Sequence, residues 1–453
     1  MSRNLLATSR RDFLHAAVAA LAAGCAPVAL GQQPPANARV RATSGDPVEP
    51  DWGERLTVTV GPGKAGLVGA DLVGTDHRAI QAAVDYVSAL GGGTVKLLPG
   101  VFRLRNAVYL RSKVRILGSG DDTVLIKGPS ITTKLAADSD WYDQEITLVD
   151  AKGFGLGDGV CLRTRNPHHG GTDVAKRTLV ARSGSRFKLD RALRENFWLK
   201  GDTTVSTLFP ILSGDQIADV VLENLALDGN RPQNENLDGN YAGCIFLQDC
   251  NRITIRNVTA RNYNGDGVSW QICHDVLVEN CRSHDHAGLG LHPGSGSQRS
   301  VIRANRVARN AIGIFFCWGV KFGRAEANTV EDCSQCGISI GHRDTENLVR
   351  KNTIRRSGQV GILFRAEGGK DFAAHRNRIE ANVIEDSGPN DGVAVDVQGP
   401  TEEVTIAGNE LIETRAPGKR VGIRLGPQTR DIRLADNRIQ GFATAVADLR
   451  GRG

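Results

Sequence analysis

Val276-Leu-Val-Glu-Asn280, Val301-Ile-Arg-Ala-Asn305 and Val404-Thr-Ile-Ala-Gly-Asn409 are copies of one pattern, an alternating apolar strand that ends on asparagine. The same pattern runs through Asn224, Asn257, Asn280, Asn305, Asn328, Asn352, Asn382, Asn409 and Asn437, roughly every 25 residues. A second strand opening with glycine follows most of them: Gly267-Val-Ser-Trp, Gly288-Leu-Gly-Leu, Gly313-Ile-Phe-Phe, Gly337-Ile-Ser-Ile, Gly361-Ile-Leu-Phe, Gly392-Val-Ala-Val and Gly422-Ile-Arg-Leu. Self-similarity at this period marks a solenoid, in which each repeat buries its apolar face only against its neighbours. Two or three short strands per turn, with no helix between them, predict an all-β parallel β-helix. A side-chain amide both donates and accepts, so asparagines stacked at one bend can satisfy backbone groups and one another. Asn257, Asn280, Asn305, Asn328 and Asn352 are therefore expected to stand in one line.

The chain has 453 residues and a formal charge of +6. A solenoid accommodates that length by growing along one axis instead of enlarging a spherical core. Its 53 glycines suit many tight turns. No basic run suggests nucleic acid as a partner, and beyond the leader no apolar stretch is long enough to span a bilayer. The leader, 1–31, carries Arg10-Arg11-Asp12-Phe13-Leu14 before an apolar stretch and resembles a twin-arginine export signal. That resemblance implies export to the periplasm or beyond, with Cys25 as a weak candidate for a lipid anchor. Without Arg3, Arg10, Arg11 and Asp12 of the leader, the charge falls to about +4. Eight cysteines follow the leader. Cys250 and Cys273 precede their asparagines by the same interval and are expected to stack as buried thiols.

Residues 32–55 read as a Pro- and Gln-containing linker, and 56–130 as a cap helix with the first rungs. The helix is expected over 76–90 with Thr75 as N-cap and Ile80, Ala83, Val84 and Val87 on one face. The period breaks over 131–213, where an inserted β module is expected. It resumes at Ile217 and runs to the end, so 214–453 forms the main solenoid.

Aligning the rungs on their glycines gives an outward row of Gln271, His292, Cys317, Gly341, Arg365 and Asp396, with Gln248 added by spacing. Alternation places Val268, Leu289, Ile314, Ile338 and Ile362 inside, with Trp270 and Phe316. A row mixing Gln, His, Arg and Asp suits ligand recognition better than mere solvation. Bordering turns carry Asn264-Gly-Asp266-Gly, Ser283-His284-Asp285-His286, Gly341-His342-Arg343-Asp344 and Arg365-Ala-Glu367. His284, Asp285 and His286, with His292 from the next strand, are also a possible ligand set for a divalent cation. That alternative stays open, although no metal site is assigned and no cofactor is expected. Phe315 and Trp318 are candidates for stacking on a sugar ring.

The segment from the predicted helix through Gly93-Thr-Val-Lys-Leu and Val114-Arg-Ile-Leu-Gly resembles the start of the pectate-lyase-like superfamily. There a helix caps a right-handed parallel β-helix, and members include polygalacturonases, pectate lyases and uronan epimerases. Asn264-Gly-Asp266-Gly-Val resembles the Asn-Thr-Asp-Gly-Ile stretch of polygalacturonases, whose aspartate is catalytic. Cys336-Gly-Ile-Ser-Ile-Gly resembles a second such stretch, with cysteine where those enzymes have histidine, and their Arg-Ile-Lys clamp is absent.

These features predict an exported enzyme acting on a polysaccharide or oligosaccharide along the β-helix. Hydrolysis is the first expectation, with Asp266 and Asp285 as acid and base beside His286. Gln271, His292, Trp318, His342, Arg343, Arg365, Glu367 and Asp396 are expected to bind the sugar. A lyase or epimerase would instead use a histidine base and an arginine to steady the enolate. A non-catalytic carbohydrate-binding surface is the third possibility.

Overall fold

The computed structural model describes residues 52–63 and 69–451. The leader, Cys25 and most of the expected linker lie outside the described residues. One coil shows how the chain is laid. Leu289–Gly294 leads to Val301–Arg303, then Arg306–Ala308, and the next coil begins with Ile312–Phe315. Each strand pairs in parallel with its equivalent one coil later. Among the described residues one face forms an 11-stranded sheet, from Val108–Tyr109 to Thr444–Asp448, and the other faces join in a 21-stranded sheet. The architecture is a right-handed parallel β-helix.

Alternation fills the interior. Ile245, Val268, Leu291, Ile314, Ile338, Ile362, Val395 and Ile423 are in register along the 11-stranded sheet and are all buried. Each such side chain contributes roughly 1.5–3 kcal/mol when fully removed from water. Trp270 and Phe316 are wholly buried, as alternation predicts. Where glycine alignment places Leu289 inside, the register places Leu291. The reason lies in a column of close approaches. A Cβ on Gly267 would come 2.6 Å from the carbonyl oxygen of Gly290, one on Gly290 2.7 Å from that of Gly313, and one on Gly313 2.6 Å from that of Gly337. Gly290, not Gly288, is therefore the equivalent of Gly267.

The asparagine line is also corrected by one residue. Asn305, Asn328, Asn352, Asn382, Asn409 and Asn437 do stack: the side-chain nitrogen of each donates at 2.9 Å to Oδ1 of the next, from Asn305 to Asn437. Asn257 and Asn280 are exposed and stand one place earlier, in the left-handed corner at φ 52° and 53°. The equivalent corner residue on the following coil is Ala304, φ 53°. The inward ladder position of the Asn280 coil belongs to Cys281, whose N–H donates to Oδ1 of Asn305 at 2.9 Å. Asparagine suits both places, since it tolerates the left-handed region and can bond within a ladder.

The helix runs His77–Ala89, with Asp76 as N-cap in place of the expected Thr75; Oδ1 of Asp76 accepts from the N–H groups of Arg78 and Ala79. Its buried face, Ile80, Ala83, Val84 and Val87, joins the core of the first coils. Six antiparallel strands between Thr132 and Ser206 form a separate sheet with its own core, including Phe187, Phe197 and Leu162. Bonds from Arg105 to Asp158 (2.7 and 2.5 Å) and from Asn106 to Thr178 (2.9 Å) hold this module to the solenoid. The eight cysteines after the leader are free thiols; all but Cys317 are buried, and the N–H of Cys250 faces Sγ of Cys273 at 3.4 Å.

Candidate functional site

The outward face of the 11-stranded sheet carries two adjacent rows. Register places Gln248, Gln271, Gly294 and Cys317 in one, with Gly341 and Arg365 following Ile340 and Phe364 in the same column. The other reads Tyr109, Ser213, Phe246, Ser269 and His292, then Phe315, Ser339, Leu363, Asp396 and Arg424. His292 and Asp396 thus leave the row expected from their glycines, by the same two-residue slip that moves Leu291 inside.

Asp266 and His292 form the most enclosed polar pair on this face. Oδ2 of Asp266 lies 2.8 Å from Nδ1 of His292, and Oδ1 accepts the Leu289 N–H at 2.9 Å. Their side chains are 3% and 5% exposed. The aspartate orients the ring, because in a neutral imidazole whose Nδ1 donates to a carboxylate the lone pair sits on Nε2. That Nε2 is buried and meets no hydrogen-bonding atom of the described residues. Gly239, in the loop 229–242, lies directly over the pair. A Cβ there would stand 1.6 Å from Oδ2 of Asp266 and 2.9 Å from Nδ1 of His292. Ser269 fastens this loop by donating to the Gly239 carbonyl at 2.5 Å, and Gln271 donates in turn to Ser269 at 2.9 Å.

A cation approaches from three coils further on. The Phe315 ring meets His292 edge-on, with centroids 5.5 Å apart, and the Arg365 guanidinium covers Phe315 at 4.3 Å. Arg365 reaches back along the sheet to donate to Ser339 Oγ (2.8 Å) and the Phe316 carbonyl (3.0 Å). Gly341 makes that path possible, since a Cβ there would lie 2.2 Å from the guanidinium. Asp344, buried beneath, is 3.5 Å from Arg365 and accepts the Val320 and Gly341 N–H groups. Burial pushes its carboxyl up to about 6. Beside this cluster Trp318 is 61% exposed and stacks on His342 at 4.4 Å. Glu367 accepts the His342 N–H at 2.9 Å, and Arg343 lies over Phe372 at 4.2 Å. Asp396 is wholly buried in a paired contact with Arg424, with three coils between it and His292.

The expected partners in the turn after Ser283 are placed otherwise. Asp285 sits in a left-handed corner and binds Arg309 through both oxygens, at 2.7 and 2.8 Å, with His284 at 2.6 Å. The Arg309 guanidinium, bonded to the carboxylate, holds its pKa well below the usual range. The pair is one step of a surface ladder repeated at Asp332 and Arg356. His286, expected over the groove, turns inside. Its Nδ1 accepts the Tyr263 N–H at 3.1 Å and its Nε2 lies 3.2 Å from the Ala260 carbonyl. Burial pushes it down to about 3. A short polar turn looks alike in sequence whether its side chains face water or the interior. His284, Asp285 and His286 accordingly do not converge, and no group of three metal-binding side chains occurs among the described residues.

Lys127 was not singled out by its sequence, where it merely ends an alternating strand. Its buried ammonium donates to the Asn234 amide oxygen (2.5 Å) and the Thr207 carbonyl (2.9 Å). It thereby anchors the loop that covers Asp266. Burial pushes its pKa down to about 7. Only its contacts over long sequence distances reveal it.

A family model described as a right handed beta helix region matches residues 227–373. No curated protein sequence matches the chain. Among solved structures, the chain is similar to the A-module of the Azotobacter vinelandii mannuronan C-5 epimerase AlgE4. The TM-score is 0.54 at 16% identity, over 83% of this chain and 95% of that one. PfbA, a surface adhesin of Streptococcus pneumoniae, gives 0.51 at 13% identity over 82% and 89%. ORF18 of Geobacillus virus E2 gives 0.50 at 12% over 86% and 62%. At these identities the likeness is one of fold, and an epimerase and an adhesin share it. No helix of the described residues is long and apolar enough to cross a membrane.

Proposed function

We propose that this chain acts on a uronate-containing polysaccharide lying along the 11-stranded sheet, by proton transfer at the carbon beside the sugar carboxylate. The observation that carries this reading is the Asp266–His292 contact, 2.8 Å long, with Nε2 of the same ring unpartnered. An oriented imidazole with a free lone pair is a general base. Nε2 takes the proton, and the electron pair of the broken C–H bond passes into the sugar carboxylate. The guanidinium of Arg365, one aromatic ring away across Phe315, can steady the resulting charge. The intermediate then either expels the neighbouring glycosidic oxygen, which takes up the proton held on Nε2, an elimination, or regains a proton from solvent water on the opposite face, an epimerisation. Because Nε2 is buried, the Gly239 loop or the Phe315 ring must shift when substrate enters.

Hydrolysis, the first expectation from sequence, is less well supported. It requires two available carboxylates, and both oxygens of Asp285 are held by Arg309 and His284. The exposed face of Trp318 supports a saccharide as ligand, since its ring is presented flat and prestacked on His342. Export through the twin-arginine route, suggested by the leader, would place the protein where such polymers occur.

The test is product analysis of purified protein with a panel of neutral and uronate polymers. Elimination is expected to give the ultraviolet absorbance of an unsaturated uronate, and epimerisation a changed sugar composition by NMR without cleavage. New reducing ends without unsaturation would restore hydrolysis. Binding with no change in any polymer would make the groove a recognition surface only.

A further inference from the structure

The row that contains His292 begins at Tyr109, and there the inserted β module leans over the sheet. Between them lies a cavity of about 400 Å³, within the range of small-molecule sites. Tyr109 and Phe246 give it aromatic walls, and Gln248 and Ser213 supply uncharged polar groups. Four basic residues line it, Arg111, Lys176, Arg177 and Arg191, against one acid, Asp215.

The four cations are not equivalent. Arg177 is occupied by the carbonyls of Lys176 and Ala192, and Arg111 pairs with Asp85 at 2.8 Å. Arg191 reaches Asp190 only at 3.9 Å and is exposed. Lys176 has no ion pair among the described residues. Its ammonium stands 3.8 Å over the Phe246 ring and donates to the Tyr241 carbonyl. An ammonium carries three donors, so Lys176 retains donors for a ligand. Burial outweighs the attraction of Asp215 and pushes its pKa down to about 8, a cost that a bound anion would offset.

Position links this cavity to the groove. Phe246 pairs with Ser269 and Ser269 with His292, so the cavity wall stands two strand spacings from the proposed base, ~10 Å. The row ends at Tyr109, where Val160, Lys176 and Arg177 of the module line the cavity. We propose that the cavity binds one carboxylate-bearing sugar unit, the terminal residue of a chain in the groove, with its carboxylate on Lys176 and Arg191. The sugar identity rests on the reading of the groove given above; the preference for an anion rests on the cavity's own charge.

Calorimetric titration of the whole protein with D-glucuronate, and with D-glucose as the neutral control, tests this. Glucuronate is expected to bind and glucose not. Lys176→Met keeps an apolar stem over Phe246 and is expected to weaken glucuronate about tenfold or more, the worth of one charge-assisted hydrogen bond. Arg191→Ala, at an exposed side chain, is expected to weaken it in the same direction and decides the matter if Lys176→Met fails to fold. Equal binding of both sugars, no glucuronate binding, or wild-type affinity in a folded Lys176→Met protein and in Arg191→Ala would overturn the proposal. A uronate tetrasaccharide separates the sources: tighter binding than the monosaccharide supports a chain end, and equal binding means a free sugar acid, overturning the chain-end assignment. Turnover of a uronate polymer without glucuronate binding would sink the cavity and leave the groove reading intact. Glucuronate binding with no polymer changed would do the reverse.

Discussion

Nδ1 of His292 and Oδ2 of Asp266 meet at 2.8 Å beneath a glycine, Gly239, that leaves no space for even a methyl group above them. The sheet supplies both partners from neighbouring coils, and the loop 229–242 closes over them. If this pair performs the proton transfer, His292→Asn should lower kcat by about 10²–10⁴-fold, the usual range for a positioned acid or base. Asp266→Asn should lower it too, since the amide no longer fixes the ring. Steady-state kinetics with the polymer found by product analysis provides the measurement, with circular dichroism to confirm the fold. Full activity of His292→Asn would end the assignment.

Asp285→Asn is expected to leave turnover unchanged. Its carboxylate is spent on Arg309 at a corner where the two side chains are 36% and 55% exposed. Exposed pairs of this kind are worth about 0.2–1 kcal/mol, so the melting temperature should fall only slightly. Loss of turnover in a folded Asp285→Asn protein would return the hydrolytic pair to consideration.

The asparagine ladder yields a contrast between two otherwise similar substitutions. Asn328→Ala removes the acceptor for two donors of Asn305 and the donor for the Ile302 carbonyl, all buried. A cost of roughly 3 kcal/mol or more is expected from such unsatisfied groups. Asn257→Ala loses only the tolerance of asparagine for a left-handed corner, about 1 kcal/mol. Urea denaturation of both variants measures the difference, and the reverse order would contradict the ladder register.

His286 makes stability depend on pH in a direction that can be worked out. Its folded pKa is pushed down to about 3 by burial, against about 6.5 in an unfolded chain. Between those values the unfolded chain binds more protons. Stability therefore rises with pH across this window and is lost as pH falls below about 6.5, by up to ~1.4 kcal/mol per unit. Urea unfolding from neutral pH to about pH 5, above most carboxylate titrations, should show this slope. His286→Gln should flatten it, and an equal slope in that variant would remove His286 as its cause.

The sequence makes part of the candidate site legible, for particular reasons. His292 and Arg365 stand out in the sequence as polar residues of an outward row, Asp266 and Trp318 as residues of the turns beside it, and the fold brings Asp266 against His292 and Arg365 over Phe315. Asp285 and His286 stand out by the same reasoning, and their hydrogen bonds direct both away from the groove. One is consumed by a guanidinium from the next coil, the other by two backbone groups inside the solenoid. Adjacency in sequence carries no information about which way consecutive side chains of a corner turn. Lys127 and Lys176 precede the asparagine repeat, so its pattern does not single them out.

The sequence by itself determined the coil. A repeat of about 25 residues with alternating apolar positions can bury those positions only against its own neighbours, so the architecture follows from local pattern. The cross-coil register was settled by close contacts: the one-residue asparagine slip, the two-residue glycine slip, and the long-range contacts of Gly239, Lys127 and the inserted module. Such contacts depend on how closely successive coils and loops approach, and a repeat pattern is satisfied equally by more than one register until the packed backbone excludes all but one.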